Sequence, residues 1–252
     1  MTSYLYKDGV FVETSENLPI LVADSLLVSE GKVRSLEKHI IRFIKQTSLK
    51  APDLLPQLPE FLFKFLELVP RTGNQFPRLE IQTDLSLKVQ IRPAPEITQT
   101  VSLWTYPKPD PRADLTVKGP ELELGAKLRQ QAQDQGADEA ILLNKEGFIS
   151  EGSLSSLVWW EEETLVAPGN EIPWLESITR TDVFEIAEQL GIKTQFANRT
   201  PEDLINREVW LLSSLQGIRT VTNWVCLSDQ FKPGAHKAIF DKELEKLVSP
   251  LP

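Results

Sequence analysis

Residues 208–219 read EVWLLSSLQGIR, and the pattern of this stretch and of the segments before it decides the fold class. Val209–Ser213 is an apolar run of strand length, and Ile192–Phe196 predicts a second strand upstream. Ser177–Leu190 precedes both strands and carries apolar residues at helical spacing. A helix that alternates with strands in this way indicates a mixed α/β protein.

The composition is that of an ordinary soluble globular protein. The chain has 252 residues, of which 41% are hydrophobic and 25% are charged. Its 27 Lys and Arg residues and 36 Asp and Glu residues give a net charge of −9. This charge argues against general binding of nucleic acids or anionic membranes, because both require clustered positive charge. A chain of this length forms one large domain or two of roughly 100–150 residues each.

The scarcity of cysteine and histidine excludes several kinds of site. Cys226 is the single cysteine, so no intrachain disulfide and no multi-cysteine metal site can form. His39 and His236 lie far apart in the sequence, which argues against a histidine-rich zinc site. The chain shows neither a signal-peptide pattern at its first residues nor an apolar run of about 18 residues. We therefore expect a cytoplasmic protein that binds no metal and no membrane.

Prolines divide the chain into two parts. Residues 107–113 contain Pro107, Pro109 and Pro111, and proline disfavours helix in the residue before it. We expect a small α+β domain over residues 1–106, a proline-rich linker over 107–113 and a larger α/β domain over 114–252.

Two helix boundaries can be predicted from single residues. Ser35 can cap the start of a helix over Leu36–Lys45, because serine hydroxyls accept hydrogen bonds from the first free N–H groups of a helix. Gly136 can adopt the left-handed conformation that ends many helices, and it follows a helical pattern of apolar residues.

No P-loop, G-x-G-x-x-G, G-x-S-x-G or H-E-x-x-H motif is present, but four segments carry a resemblance. They are LEKHIIRF (36–43), Lys118 with the helix and GADEA (136–140) that follow it, ISEGS (149–153), and LESITR (175–180) with EVWLLSSLQGIR about thirty residues later. In this order they resemble the class-IV, or fold-type IV, family of enzymes that depend on pyridoxal 5'-phosphate (PLP). That family includes branched-chain and D-amino-acid aminotransferases and 4-amino-4-deoxychorismate lyase.

The resemblance implies a fold, a cofactor and an assembly. The expected fold is α/β and D-amino-acid-aminotransferase-like, with a small α+β domain and a larger, barrel-like α/β domain. The expected cofactor is pyridoxal 5'-phosphate, and the family is usually homodimeric. We expect no nucleic-acid partner.

Lys118 occupies the family's position for the Schiff-base lysine, 21 positions before Glu139 as in the lyase branch. An amine reacts with PLP only when it is neutral, so the site must lower its pKa through burial or nearby positive charge. Lys127 and Lys145 are the nearest competitors. The alternative for Lys118 is an ordinary solvated loop lysine.

Two further residues match charged positions of the family. Glu151 corresponds to the carboxylate beside the pyridine nitrogen, and it takes part in the expected catalysis together with Lys118. Arg42 corresponds to the arginine that binds the cofactor phosphate. The alternatives are an exposed glutamate at a strand end and a surface arginine on a helix. His39 is more consistent with a packed structural histidine than with a catalytic one.

Three uncharged residues match the rest of the phosphate site. Ile178 and Thr179 would present backbone N–H groups to the phosphate at the start of a helix. Ser214 would donate its hydroxyl to the same group. Thr179 could instead be only an N-cap, and Ser214 a buried serine with a local hydrogen bond.

The chain also departs from the family pattern. Ser156 stands where the family usually has asparagine, Glu121 and Leu122 replace an Asn-Arg pair of the lyases, and residues 23–28 resemble a shortened form of the family's glycine-rich strand. We expect either an aminotransferase that exchanges an amino group between an amino acid and a 2-oxo acid, or a lyase that converts aminodeoxychorismate to 4-aminobenzoate and pyruvate. The alternative is a non-catalytic descendant that serves as a binding module.

Overall fold

Helices and strands account for most of residues 1–169 and 174–252, which the computed structural model describes. The helices are α1 (Leu36–Lys50), α2 (Leu58–Leu68), α3 (Leu122–Asp134), α4 (Ile178–Gln189) and α5 (Lys237–Glu245), with 3₁₀ helices at Pro52–Gln57 and Glu202–Leu204. The strands are β1 (Thr2–Lys7), β2 (Val10–Glu13), β3 (Ile20–Ser25), β4 (Val28–Ser29), β5 (Lys32–Arg34), β6 (Asn74–Gln75), β7 (Arg78–Gln82), β8 (Leu87–Ile91), β9 (Thr100–Pro109), β10 (Glu139–Leu143), β11 (Ile149–Gly152), β12 (Ser156–Glu161), β13 (Thr164–Pro168), β14 (Lys193–Ala197), β15 (Val209–Ser213), β16 (Gly217–Val225) and β17 (Val248–Pro250). The predicted strand at Val209–Ser213 is confirmed as β15.

The described residues fall into two units, and the chain passes between them several times. Unit 1 comprises Met1–Glu96, Val117–Pro120 and Glu245–Pro252, and unit 2 comprises Ile97–Thr116 and Glu121–Leu244. This division differs from the predicted one, in which residues 1–106 and 114–252 were separate domains. A short segment around Lys118 and the last eight residues both return to unit 1, because the first lies along β3 and the second pairs with β5 through β17.

The proline-rich stretch is the end of a strand and not a free linker. β9 runs through Pro107 to Pro109, inside unit 2. β16 pairs with β9 only as far as Trp104, so both prolines lie beyond that ladder, where a missing N–H breaks no bond to it. The prolines therefore lie where the pairing with β16 has ended, while β10 still pairs with β9 at Pro109, and the unit continues beyond them.

Unit 1 contains a five-stranded antiparallel sheet with unlike faces. Its strand order is β2-β1-β8-β7-β3, and a four-stranded sheet of order β17-β5-β4-β6 completes the unit. Leu79, Ile81 and Val89 lie on one face of β7 and β8 and join the apolar core with α1 and α2. The alternate residues of these strands are polar yet buried, among them Glu80 and Lys88. One face therefore stabilises the unit, and the other carries charge.

The two predicted helix boundaries have different outcomes. Ser35 adopts a left-handed φ of 51° and caps no N–H of α1, so its predicted role is wrong. Its own N–H donates to the Leu247 carbonyl at 3.2 Å instead, which ties the helix start to the end of the chain. Gly136, with φ of 83°, ends α3 as predicted. The N–H of Ala137 reaches back to the Ala132 carbonyl at 2.9 Å, which is the Schellman pattern that needs a left-handed residue.

Unit 2 is built on one curled, eight-stranded mixed sheet. Its order is β11-β10-β9-β16-β15-β12-β13-β14, with parallel pairs β9·β10, β9·β16 and β13·β14. The N–H of Ile149 in β11 donates to the carbonyl of Arg199, just past β14, at 2.9 Å. Because the two edge strands approach each other in this way, the sheet curls into a half barrel, as expected. α3 packs on β9 and β10, and α4 packs on β14 and β15.

Candidate active site

Lys118 lies against the edge strand of the five-stranded sheet of unit 1. Its carbonyl accepts a hydrogen bond from the Ala23 N–H of β3 at 2.6 Å, and its own N–H donates to Gln46 Oε1 of α1 at 3.3 Å. Gly119 follows because a side chain would not fit: a Cβ there would lie 2.9 Å from the Leu21 carbonyl oxygen. β3 and α1 therefore hold the backbone around the lysine.

The surroundings of Lys118 disfavour its charge. The pKa of its amine is lowered to about 8, mainly by burial and also by the charges of Arg42, Arg78 and Arg92, while Asp24 opposes them. Its ammonium donates no hydrogen bond to any described residue. An amine with this pKa is partly neutral at neutral pH, as a nucleophile or a general base must be.

Asp24 binds two of the sequence-predicted residues on α1. Its carboxylate accepts hydrogen bonds from Arg42 Nε and Nη2 at 2.7 and 2.8 Å, and its Oδ1 lies 2.7 Å from His39 Nδ1. Burial alone would raise the pKa of Asp24, but the charges of Arg42 and His39 hold it well below its usual range. Burial lowers the pKa of His39, although Asp24 opposes this effect. The Nε–Nη2 fork of Arg42 is thus occupied by a carboxylate of the protein.

Glu151 lies at the end of β11 in unit 2, in contact with an arginine. Arg112 Nη1 is 2.8 Å from Glu151 Oε1, and Arg112 Nη2 is 2.6 Å from Asp110 Oδ2. The Asp110 N–H donates to the Leu143 carbonyl at 2.8 Å, which anchors this chain of contacts to β10. The pKa of Glu151 is raised to about 7, mainly by burial and also by Asp110, against the charges of Arg112 and Arg180.

The start of α4 has the form of an anion site. Ser177 is its N-cap and accepts a hydrogen bond from the Arg180 N–H at 3.3 Å, so the alternative that Thr179 is the cap is wrong. Ile178 and Thr179 are the first two residues of the helix, so their backbone N–H groups lie at its N-terminal end. The helix dipole favours a negative charge there.

Arg180 adds a buried positive charge to the same helix. Its guanidinium carbon lies 3.3 Å from the centre of the Trp174 ring, and its Nη2 has no hydrogen-bond partner in the described part of the chain. Burial lowers the pKa of Arg180 to about 10, with Glu151 opposing this shift. The charges of Arg180 and Glu151 therefore interact, and each affects the pKa of the other.

Ser214 lies in the turn between β15 and β16. Ser213 closes this turn, since its Oγ accepts a hydrogen bond from the Gln216 N–H at 3.1 Å. The hydroxyl of Ser214 bonds to none of the residues described and is only half-buried. It remains available as a donor to a ligand, and it lies on the unit that also carries α4.

The sequence-predicted residues thus form two groups. Lys118 and Arg42 share unit 1, where Arg42 is among the charges that act on the lysine. Glu151, Ile178, Thr179 and Ser214 belong to unit 2. Their roles stay predictions, and one observation bears against a phosphate role for Arg42: Asp24 occupies its side-chain fork.

Sequence reasoning missed four charged residues of these groups. Asp24 lies in the strand that departs from the family pattern, and Asp110 and Arg112 lie in the stretch interpreted as a linker. Arg180 is the last residue of the quoted LESITR segment and was not given a role. A signal was present in one case only: a short acid-to-arginine spacing at Asp110 and Arg112 is unusual in a linker of prolines.

Two negative findings apply to the described residues. No group of three or more His, Cys, Asp or Glu side chains could hold a metal ion. None of the helices there has the length and apolar character needed to cross a membrane.

Comparison with known families gives a match that includes residues of both units. The model of the amino-transferase class IV family matches residues 21–224. The chain belongs to this family. The match contains all the sequence-predicted site residues of both units, and it begins with the strand that carries Asp24.

Among curated class IV relatives, two illustrate the range of activities. A probable branched-chain-amino-acid aminotransferase of Rickettsia bellii is 24% identical over 186 residues, which are 66% of this chain and 64% of that protein. Aminodeoxychorismate lyase of Vibrio harveyi is 29% identical over 85 residues, 33% of this chain and 31% of the lyase. The chain thus spans less than two thirds of the length of these relatives.

Solved structures establish the fold. A hypothetical aminotransferase from Mycobacterium tuberculosis in a PLP-bound form has a TM-score of 0.78 and 19% identity, covering 97% of this chain and 98% of its own. A fold IV transaminase from Curtobacterium pusillum has a TM-score of 0.72 and 17% identity, covering 98% of each chain. The expected fold-type IV architecture is therefore confirmed.

Proposed function

We propose that this class IV protein binds PLP and moves a proton at the Cα of an amino acid or an amino-acid-like acid, as an aminotransferase or as aminodeoxychorismate lyase. The observation that carries the proposal is Lys118: its amine has a pKa of about 8 and no hydrogen-bond acceptor among the described residues. An ordinary lysine, with a pKa of 10.5, is almost fully protonated at neutral pH and cannot act as a nucleophile.

The residues present fit PLP at both ends of the cofactor. The N–H groups of Ile178 and Thr179 and the hydroxyl of Ser214 would bind its phosphate. A phosphate role for Arg42 stays a prediction from the sequence, since Asp24 occupies its Nε–Nη2 fork. Glu151 would hold a proton at the pyridine nitrogen. When bound, PLP supplies an aldehyde that can join a lysine amine and a ring that takes up electrons from the substrate Cα.

Each residue then has one task. The neutral amine of Lys118 would hold the cofactor and, when free, would take the proton from the substrate Cα and return it. Glu151, whose pKa is raised to about 7, would hold a proton at the pyridine nitrogen through its carboxylate. Arg112 holds the Glu151 carboxylate in place through its 2.8 Å contact. No step requires a metal ligand or a thiol from the chain.

The lyase is the second candidate, and two observations favour it. Lys118 lies 21 positions before Glu139, as in the lyase branch, and one relative is named aminodeoxychorismate lyase. Parallel assays would separate the two: release of 4-aminobenzoate from aminodeoxychorismate, and amino-group exchange between amino acids and 2-oxo acids. On the same family resemblance, we propose that the protein is cytoplasmic and homodimeric.

The test is covalent capture of the cofactor. PLP added to the native chain should produce a yellow absorption band, and borohydride should then fix the cofactor mass on the peptide that contains Lys118. Lys118→Ala should lose both signals, while far-UV circular dichroism verifies that it folds. Lys127→Ala is the matched control, since Lys127 is exposed on α3 and its ammonium lies 2.7 Å from Glu123 Oε1 on the same helix. A native protein that stays colourless at saturating PLP would overturn the proposal in favour of a binding module.

A further inference from the structure

A fully buried carboxylate contacts the turn that follows Glu151. Glu139 is the first residue of β10 and is 0% exposed. Its Oε1 accepts a hydrogen bond from the Ser153 hydroxyl, and its Oε2 accepts one from the Ser155 hydroxyl at 3.1 Å and one from Arg129 Nη2 at 2.5 Å. A buried carboxylate is costly unless donors surround it, so these contacts are what keeps Glu139 in place.

The two serines belong to a tight turn that joins β11 to β12. The N–H of Gly152 donates to the Ser155 carbonyl at 2.8 Å, and the N–H of Ser153 donates to the Ala140 carbonyl at 2.9 Å. A Cβ at Gly152 would overlap Ser155 Oγ, so the turn requires glycine at this position. Glu151 immediately precedes the turn, and the position of its backbone therefore depends on it.

Helix α3 packs against the same turn. Gly125 lies so close to it that a Cβ there would be 2.6 Å from the Ser153 carbonyl oxygen and 2.8 Å from Leu154 Cδ2. Arg129 follows Gly125 by four residues and therefore lies on the same face of the helix, which brings its guanidinium to Glu139. The turn thus contacts both α3 and the Glu139 carboxylate, and Arg129 joins the two.

Glu139 and Glu151 point to opposite faces of the sheet. Gly152 pairs with Ile141 and Glu151 pairs with Leu142 in the ladder of β10 and β11, and side chains alternate along each strand. Glu151 therefore shares a face with Leu142, whereas Glu139 shares the other face with Ile141. Glu139 thus reaches Glu151 through the backbone of the turn, and not by contact with the group that Glu151 would bind.

We propose that Glu139 is a positioning residue, which fixes the turn over residues 152–155 and thereby places the Glu151 carboxylate for its task at the pyridine nitrogen. A carboxylate that accepts several hydrogen bonds, one of them from a guanidinium, restrains its donors more strongly than a neutral side chain does. Precise placement of a functional group requires such support from a second layer of residues. This inference rests on the proposed function, since it concerns how that site is held.

The first test needs no cofactor. In the full chain without PLP, hydrogen exchange of the Gly152 and Ser153 amides measures how often the turn opens, because both N–H groups are hydrogen-bonded when it is closed. Glu139→Gln should raise both exchange rates about 10-fold or more. Ser153→Ala, which removes one donor and leaves the carboxylate, should raise the Gly152 rate by a smaller factor. Glu123→Gln, an exposed change on α3, should leave the rates unchanged, and native rates in Glu139→Gln would refute the proposal.

The second test asks whether Glu139 acts through Glu151. The dissociation constant of PLP is measured by titration of its absorption band in the native protein, in Glu139→Gln, in Glu151→Gln and in the double variant. Glu139→Gln should raise this constant about 10-fold where Glu151 is present, but by less than about 2-fold where Glu151 is already replaced. A general loss of structure would raise the constant by the same factor in both backgrounds, and that outcome would refute the proposal.

The same samples separate failure of this inference from failure of the proposed function. If the native protein forms no band that needs Lys118, the function is refuted, and hydrogen exchange still decides whether Glu139 fixes the turn. If the band forms but neither the exchange rates nor the PLP dissociation constant responds to Glu139→Gln, the inference is refuted and the function stands. If Glu139→Gln does not fold, Ser153→Ala takes its place in both Glu151 backgrounds, where equal effects again refute the proposal.

Discussion

Lys118 in unit 1 and Glu151 in unit 2 are both driven toward their neutral forms by burial, yet their neighbours act in opposite directions. Around Lys118, three arginines lower the pKa of the amine further, to about 8. Around Glu151, Arg112 and Arg180 oppose the effect of burial, and the pKa of the carboxyl stops at about 7. Like charge thus reinforces burial at the lysine, whereas opposite charge limits it at the glutamate.

The difference suits the two tasks. Lys118 must lose its proton to act as a nucleophile, and as pH rises through about 8 its neutral fraction becomes dominant. Glu151 must retain negative character beside a protonated ring nitrogen, and this is available above pH 7. Both groups are therefore in their working states slightly above neutral pH, for opposite reasons.

The largest expected effect comes from removing the negative charge of the Glu151 side chain in unit 2. Glu151→Gln keeps the shape of the side chain but cannot stabilise a proton on the ring nitrogen. Turnover should fall by about 10²–10⁴-fold, the range for loss of a group that assists proton transfer. The band that depends on Lys118 should still form. Glu146→Gln, an exposed change in the turn before β11, is the control. Near-normal turnover in Glu151→Gln would show that the carboxylate has no part in the reaction.

The next effect concerns stability and tests whether the two groups are independent. Asp24→Asn leaves the buried Arg42 without its ion pair, which should cost about 3–5 kcal/mol. All six tryptophans lie in unit 2, so urea unfolding followed by tryptophan fluorescence reports that unit, while circular dichroism reports both. The circular-dichroism midpoint should fall. If the fluorescence midpoint falls equally, the units unfold together. Asp84→Asn, in an exposed turn of unit 1, should change neither midpoint, and a wild-type midpoint in Asp24→Asn would contradict the ion-pair interpretation.

The smallest effect separates the charges that act on Glu151. Arg112 lowers the pKa of this carboxyl and Asp110 raises it. Arg112→Gln should therefore move the acidic limb of the pH–rate profile to higher pH, and Asp110→Asn to lower pH, each by about one unit. The two variants control each other, since a general disturbance of the site would shift the acidic limb of both variants in the same direction. Such a common shift would exclude tuning by charge.

The sequence alone went furthest where the signal is local. The α3 terminus at Gly136 was predictable because a left-handed residue after an apolar repeat is a helix stop that needs no distant partner. The predicted cap at Ser35 was wrong for the converse reason, because the Ser35 N–H bonds to the Leu247 carbonyl far along the chain. The proline-rich stretch failed similarly: its prolines end a strand whose neighbour, β16, lies more than a hundred residues later.

By itself, the sequence determined which residues can carry the chemistry. Lys118 and Glu151 are recognisable from the order and spacing of short motifs, since spacing along the chain does not depend on the tertiary structure. Only the tertiary structure decided how these groups hold their protons. Burial, and the nearness of Arg78 to Lys118 and of Arg112 to Glu151, arise from strand pairing between distant segments. The pKa of a side chain depends on its distance from other charges and on its solvent exposure, and neither quantity can be read from the spacing of residues along the chain.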